Sequence, residues 1–150
     1  MDNKTPLIAL MGNPNSGKTA IFNLLTGMNQ KVSNYPGITV EQRRGNAQLA
    51  ENCSVQIMDM PGTYSLTPES LDEKIVAQQT LKWLNGIDRP AAIISVVDAG
   101  NLSRNLYLTS QVMELGMPVI IALNMMDRVK NKNQNIDSKE LQKILGVHAV

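Results

Sequence analysis

The residues most able to do chemistry lie at positions 12–19, where GNPNSGKT matches the phosphate-binding pattern G-x-x-x-x-G-K-[ST]. Glycines at both ends let the backbone wrap a phosphate closely, so that successive amides point inward. A helix starting there would add the positive end of its dipole. The lysine can reach β and γ phosphates, and the threonine hydroxyl can bind Mg²⁺. The alternative is an ordinary turn. The predicted phosphate site comprises Gly12, Asn13, Pro14, Asn15, Ser16, Gly17, Lys18 and Thr19.

A second candidate is the run Asp59-Met60-Pro61-Gly62, in which an acid follows an apolar stretch. A carboxylate at the carboxyl end of a strand can hold Mg²⁺ through water, and the Gly62 amide can meet a γ-phosphate. An Asp-x-x-Gly run alone is as often a plain turn. The phosphate-binding pattern 41 residues upstream makes the metal-binding interpretation the better one.

The third candidate, Asn124-Met125-Met126-Asp127, also follows an apolar run. The Asp127 carboxylate can accept two hydrogen bonds from the N1–H and N2–H₂ groups of guanine, a donor pair that adenine lacks. This residue therefore predicts a preference for GTP over ATP. A helix or turn cap is the alternative. Asp98 ends another apolar run, but we expect it only to cap the turn towards Asn101.

Composition excludes several other classes of function. The 150 residues are 43% apolar, enough for the core of one domain, and 14 basic against 13 acidic residues leave a net charge of +1. That balance argues against broad binding of nucleic acid, and the aromatic residues are too few for base stacking. A single Cys53 and a single His148 exclude an internal disulfide and a histidine metal cluster, and they argue against a cysteine zinc site and a Ser-His-Asp triad.

Short apolar runs alternate with longer amphipathic stretches, which predicts an α/β fold with a parallel sheet. Strands are expected at 7–11, 55–58, 91–97 and 118–123. Helices are expected at 18–26 before Gly27, from a Ser70–Glu73 capping box to about 85, from an Asn101 cap to before Gly116, and from Asp137 to near Gly146, before a final strand.

Residues 30–42 and 62–69 fit neither pattern and are predicted to be long irregular loops, which in a compact domain are usually functional or disordered. Residues 130–135 are predicted to form a solvated turn. The apolar runs are far shorter than the ~20 residues of a membrane span, and no leader is recognisable, so we expect a soluble chain in a reducing compartment. Its last residues suggest a fold truncated within a strand.

The motifs together resemble one family, the ferrous iron transport protein B family, in its amino-terminal G domain. Besides positions 12–19, the resemblance rests on VSNYPGITVE at 32–41, DMPGTYSL at 59–66 and NMMD at 124–127, and it extends over essentially all 150 residues. It implies a P-loop GTPase (Ras-like) three-layer α/β fold with a mainly parallel sheet. It also implies one GTP-binding domain, 1–150, whose carboxyl-terminal strand, helix and fifth motif would follow residue 150.

The resemblance also implies roles for individual residues. The first switch would comprise Tyr35, Pro36, Gly37, Ile38 and Thr39, and the second Asp59, Met60, Pro61, Gly62 and Thr63. Mg²⁺ would be held by Thr19, Thr39 and Asp59. Asn15 would hold K⁺ where other GTPases place an arginine finger. Guanine would be bound by Asn124, Met125 and Asp127, and catalysis would involve Lys18, Asn15, Thr39 and Gly62.

Two positions depart from small GTPases in general: Met125 replaces the usual lysine, and Thr63 replaces the water-positioning glutamine of Ras-type enzymes. Slow hydrolysis of GTP to GDP is therefore expected. The implied partner is the membrane permease region of the same parent protein, at the cytoplasmic face of the bacterial inner membrane; no nucleic acid partner is expected. Two alternatives stay open, an RNA- or ribosome-associated GTPase and a module that binds nucleotide without hydrolysing it.

Overall fold

A computed structural model describes residues 5–132 and 134–150. Seven strands form one sheet in the order β2-β3-β4-β1-β5-β6-β7. β1 pairs in parallel with β4 and β5, and β5, β6 and β7 continue in parallel, whereas β3 pairs antiparallel with β2 and β4. The predicted mainly parallel sheet is thereby confirmed. The strands are β1 Leu7–Gly12, β2 Gln30–Asn34, β3 Glu41–Ala50, β4 Cys53–Asp59, β5 Ala92–Asp98, β6 Val119–Asn124 and β7 His148–Ala149.

Five helices and one 3₁₀ turn, Ala99–Asn101, connect the strands of the described part of the chain. None of the helices within residues 5–132 and 134–150 has the length and apolar character needed to cross a membrane. The helices are α1 Lys18–Thr26, α2 Leu71–Leu84, α3 Leu102–Met113, α4 Met126–Asn131 and α5 Ser138–Leu145.

The core lies on both faces of the sheet, as expected for strands that are apolar throughout. On β1, Ala9 and Met11 face a cluster that includes α2 and α3, while Leu10 faces a cluster that includes Phe22 of α1. A third cluster joins β5, β6 and β7 to Leu141 of α5. Because residues 9–12 of β1 are buried between helices, the loop that follows the strand is anchored on a rigid support.

The predicted helix ends are mostly confirmed. The Ser70 hydroxyl accepts from the Glu73 amide and the Glu73 carboxylate accepts from the Ser70 amide, at 3.2 and 2.9 Å, forming the expected capping box. Hydrogen bonds from the Ser70 and Glu69 amides lower the pKa of the Glu73 carboxyl. Asp137 caps α5, and Gly27 and Gly146 end α1 and α5 in the left-handed conformation.

Three predictions need correction. Residues 30–42 do not form one long loop, because β2 and the start of β3 occupy most of the segment and leave only 35–40 as a connection. β2 is an exposed edge strand of mostly polar residues, so it shows no apolar alternation, and its conformation is defined by pairing with β3.

The other two corrections concern helix boundaries. Asn101 makes no side-chain cap; the 3₁₀ turn precedes α3, and Asp98 caps that turn by accepting from the Gly100 amide at 2.8 Å, as predicted for Asp98. The expected turn at 130–135 begins later than predicted because α4 extends to Asn131. Residue 133 of that segment lies outside the described residues.

The packing of β3 on α1 gives a test of the fold. A Cβ added at Gly45 would lie 2.6 Å from Thr26 Cγ2 and 2.9 Å from the Asn29 carbonyl oxygen. We expect Gly45→Ala to lower the free energy of unfolding by about 1–3 kcal/mol through overpacking. Urea unfolding measures this. The control Asn46→Ala, at the exposed neighbouring position, should change it by no more than about 0.5 kcal/mol; equal values for the two variants would contradict the packing argument.

Candidate functional site

An open cleft lies where β1 ends and α1 begins. Its volume, about 580 Å³, falls within the usual range of small-ligand sites. The cleft is lined mainly by the predicted phosphate-binding loop, with contributions from the segment after β4, from α2 and from the start of α4. The lining residues are Asn13, Pro14, Asn15, Gly17, Lys18, Thr19, Ala20, Gly62, Asp72, Met125 and Arg128.

The two glycines of the loop are required by contacts within the protein itself. A Cβ at Gly12 would lie 2.7 Å from the Val96 carbonyl oxygen of β5. Gly17 has φ +85°, and a Cβ there would overlap the side-chain nitrogen of Asn124. That nitrogen donates to the Ser16 carbonyl oxygen at 2.9 Å. The shape of the loop is therefore held by the ends of β5 and β6, in addition to the room that a phosphate would need.

A buried ion pair joins two of the predicted site residues. Lys18 Nζ contacts Asp59 Oδ1, and the two residues are only 8% and 7% exposed. The pair forms because β1 and β4 are parallel neighbours. Lys18, the first residue of α1 after the loop that follows β1, therefore meets the end of β4 at the same edge of the sheet. The lysine predicted to bind phosphate and the carboxylate predicted to bind metal thus lie side by side.

The predicted second switch is anchored at both ends. The Thr63 amide donates to the Gly12 carbonyl oxygen at 3.1 Å, and a Cβ at Gly62 would lie 3.1 Å from Pro14 Cα. Further along, the Leu66 amide donates to Gln111 Oε1 of α3 at 2.8 Å. Gly62 therefore lies directly against the phosphate-binding loop, while the contact with α3 is made further along the chain, at Leu66.

The predicted first switch is only partly drawn into the site. Tyr35 is buried, its hydroxyl donates to Met60 Sδ at 3.7 Å, and desolvation raises the pKa of Tyr35 to about 12. Pro36, Gly37 and Thr39 are exposed, Ile38 is partly buried, and none of them lines the cleft. The structure does not bring Thr39 to the cleft that Thr19 lines.

The predicted guanine-binding residues surround the start of α4. Asn124 is tied to the loop as described, and Met125, in the left-handed conformation with φ +58°, lines the cleft. Asp127 is exposed in the first turn of α4. Asn124 and Met125 thus adjoin the phosphate-binding loop, although they are more than 100 residues away along the chain, whereas Asp127 does not line the cleft.

Besides Ala20, which follows the predicted loop in α1, two lining residues, Asp72 and Arg128, were missed by the sequence analysis. Asp72 belongs to the first turn of α2, and Arg128 follows Asp127 in α4. No local pattern marks either residue, because each reaches the cleft only through the placement of its helix. Asn13 is different: it belongs to the predicted loop, is 4% exposed, and its side-chain oxygen and nitrogen have no protein partner.

Within residues 5–132 and 134–150, no group of three or more His, Cys, Asp or Glu side chains is arranged to hold a metal ion. A cation in the cleft would thus depend on Asp59, hydroxyl and amide oxygens and its own waters. Mg²⁺ tolerates such a site, because it usually keeps several waters and takes one or two carboxylates together with phosphate oxygens.

Comparison with known proteins agrees with the geometry. Residues 6–150 match the family described as Ferrous iron transport protein B. The Fe(2+) transporter FeoB of Legionella pneumophila is 46% identical over 145 residues, and that of Escherichia coli K12 is 47% identical over 143. These alignments cover 94% and 93% of the chain but 18% of each relative. The chain therefore spans less than a fifth of the length of these relatives.

Solved structures of related domains are similar as well. A GDP-bound mutant of S. thermophilus NFeoB is 46% identical and superimposes with a TM-score of 0.87, covering 97% of this chain and 55% of that one. The G domain of T. maritima FeoB is 38% identical with a TM-score of 0.83, covering 97% and 86%. By sequence and by structure, the chain belongs to the ferrous iron transport protein B family and has the P-loop GTPase fold of its G domain.

Proposed function

We propose that this chain binds GTP and hydrolyses it slowly to GDP, with Mg²⁺ and K⁺, as the nucleotide switch of a ferrous iron transporter. The observation that carries the proposal is the buried Lys18–Asp59 pair beside a glycine-bounded loop that Asn124 ties to the guanine motif. Relatives solved with GDP support the choice of nucleotide.

The loop and α1 bind the phosphates. Backbone amides of the loop and the amino terminus of α1 present positive partial charge to the cleft, and Lys18 adds a full charge. When a nucleotide enters, the Lys18 ammonium exchanges part of its contact with Asp59 for β- and γ-phosphate oxygens. Both partners are nearly buried, so these charge-assisted bonds form in a medium that screens them less than water does.

The residues present fit Mg²⁺, which would neutralise charge on the β and γ phosphates. Asp59 offers a carboxylate beside the cleft and Thr19 a hydroxyl that lines it. Thr39 completes this set only if the 35–40 connection moves towards the cleft. Exposure of Pro36, Gly37 and Thr39 leaves that segment free to do so, which is what a switch requires.

The guanine base is read by Asp127, whose two carboxylate oxygens accept from N1–H and N2–H₂. Met125 covers the base with its side chain, in the position where a lysine stem does so in other GTPases. Asn124 contributes indirectly, because its hydrogen bond to the Ser16 carbonyl oxygen couples the base site to the phosphate loop.

Hydrolysis is slow because the side chain that follows Gly62 is not available to orient the attacking water. Thr63 occupies the position of the Ras glutamine, but it is 1% exposed and its hydroxyl donates to the Ser65 carbonyl oxygen. Asn15, exposed with φ +63° and lining the cleft, offers an amide oxygen to a monovalent cation. An arginine at the corresponding place in other GTPases accelerates hydrolysis by about 10³–10⁵.

Beyond the site itself, we propose that residues 1–150 belong to the G domain and that its partner is the permease region of the same parent protein. Fe²⁺ is the cargo of that region, and the domain lies at the cytoplasmic face of the bacterial inner membrane. The 18% share of the FeoB transporters that this chain matches supports such a division of labour. A nucleotide-binding module without hydrolysis remains the alternative that turnover measurements test.

The phosphate assignment predicts that Lys18→Ala weakens GDP binding by about a hundredfold or more, because it removes the one full positive charge from the loop. Titration with fluorescent GDP measures the loss, and a thermal melt shows whether the variant is folded. The control Lys82→Ala, on the exposed side of α2, should bind as the parent does. Unchanged affinity in a folded Lys18→Ala variant would contradict the assignment.

The base assignment predicts that Asp127→Asn weakens GDP and improves binding of xanthosine diphosphate, because one acceptor oxygen becomes a donor that matches the xanthine carbonyl. Competition titrations of GDP, xanthosine diphosphate and ADP give the three affinities. A parent chain that binds ADP as well as GDP would disprove guanine recognition.

The cation assignment predicts faster GTP hydrolysis in K⁺ than in Na⁺, because several neutral oxygens suit the larger, less tightly hydrated ion. Asn15→Ala should remove this difference while sparing GDP binding, and Thr39→Ala should slow hydrolysis in both salts through the loss of Mg²⁺ closure. Single-turnover rates of GTP hydrolysis, measured for the parent chain and both variants in matched potassium and sodium buffers, test these expectations. Equal rates in the two salts for the parent chain would rule out a K⁺ role, and no turnover in either would favour a binding module.

A further inference from the structure

The short helix that carries Asp127, α4, depends for its position on contacts with the rest of the protein. α4 has six residues, fewer than an isolated helix needs, and Met125 at its amino terminus provides no side-chain cap. Val129, 2% exposed, fixes one side of it to the core. The direction in which the Asp127 carboxylate points therefore depends on what else holds α4.

Asp98, at the end of β5, is the anchor on the other side. Its Oδ2 accepts from Arg128 Nη1 at 2.9 Å, while its Oδ1 accepts from the Gly100 amide at 2.8 Å. Its own amide donates to Asn105 Oδ1 at 3.1 Å. The Asp98 side chain is only 13% exposed. Asp98 is thus held at both oxygens, and because the Arg128 side chain is 54% exposed, the attachment is fixed mainly at its Asp98 end.

Arg128 also packs closely on the 3₁₀ turn. A Cβ added at Gly100 would lie 3.1 Å from Arg128 Cβ and 3.2 Å from its Cδ. The stem of the arginine thus lies against the glycine while its guanidinium reaches Asp98. Since β5 and β6 are paired with Asp98 opposite Asn124, this attachment joins the ends of two adjacent strands to α4.

We propose that Asp98 and Arg128 are positioning residues for guanine recognition: their ion pair sets α4 so that the neighbouring Asp127 carboxylate meets N1–H and N2–H₂ of the base. This inference rests on the proposed role of Asp127. Arg128 lines the cleft, so the competing explanation is direct contact between its guanidinium and the nucleotide. The two explanations differ in what they predict for Asp98.

The test compares GDP with inosine diphosphate, which lacks the 2-amino group and so has less to lose when Asp127 turns away. Asp98→Asn keeps the acceptor for the Gly100 amide but removes the charge that holds Arg128. We expect Asp98→Asn and Arg128→Ala each to weaken GDP binding by about three- to tenfold, the effect of losing one hydrogen bond of ordinary strength. Inosine diphosphate should be weakened less, so that the preference for GDP falls. Arg128→Lys should restore part of that preference.

A double variant that combines Asp98→Asn with Arg128→Ala should bind GDP no more weakly than whichever single variant has the lower affinity, since both changes remove the same interaction. Asp88→Asn, which breaks an ion pair with Arg44 away from the cleft, is the matched control and should leave both affinities unchanged. Thermal melts separate loss of folding from loss of preference.

Three outcomes overturn the proposal. In the first, Arg128→Ala weakens binding of both diphosphates equally and Asp98→Asn has no effect, which assigns Arg128 to direct contact with the phosphates. In the second, both variants keep the parent's preference for GDP over inosine diphosphate and Asp127→Asn loses it, which leaves guanine recognition intact but independent of Asp98. If Asp127→Asn itself keeps the preference for GDP, the proposed base site fails and the positioning role fails with it.

Discussion

The buried contact between Lys18 and Asp59 is the interaction on which the rest of the site depends. Removing two charges from water is costly, and the cost is tolerable only while each charge has the other, or a ligand, as its partner. The parallel pairing of β1 with β4 places the two residues together, and burial keeps their charges weakly screened. Under the proposed function, each of these charges exchanges its internal partner for phosphate or metal when the nucleotide binds.

Around this pair, backbone conformation is decided by neighbouring strands. Gly12 lies against the Val96 carbonyl of β5, and Gly17 lies against Asn124 of β6. The phosphate loop is therefore clamped by the two strands that also lead to Asp98 and to Asp127. The chain achieves preorganisation with few charged residues, because strand ends in a parallel sheet all deliver their following residues to one edge.

The two predicted switch segments are attached to this edge of the sheet by a few identifiable contacts. Thr63 is joined to Gly12 by one hydrogen bond, and the segment continues to α3, where the guanidinium of Arg104 stacks on the Tyr64 ring at 4.1 Å. The 35–40 connection is held mainly by buried Tyr35. Under the proposed function, these contacts are the ones that a γ-phosphate would rearrange when the segments switch.

The sequence by itself determined the parts of this protein whose physics is local: the four buried strands, read from continuous apolar runs, the Ser70–Glu73 and Asp137 caps, and the loop whose Gly, Lys and Thr spacing suits phosphate. Only the tertiary structure decided the rest. β2 and β3 are mostly polar segments that become strands because β2 pairs with β3 and β3 pairs with β4. Their sequences therefore lack the apolar periodicity that would predict strands. A 3₁₀ turn stands where an Asn101 cap was expected, because the Asp98 side chain accepts from the Gly100 amide and stabilises that turn. Asp72 and Arg128 reach the cleft, and Thr39 stays out of it, through the placement of whole segments, which depends on contacts between residues far apart in the chain.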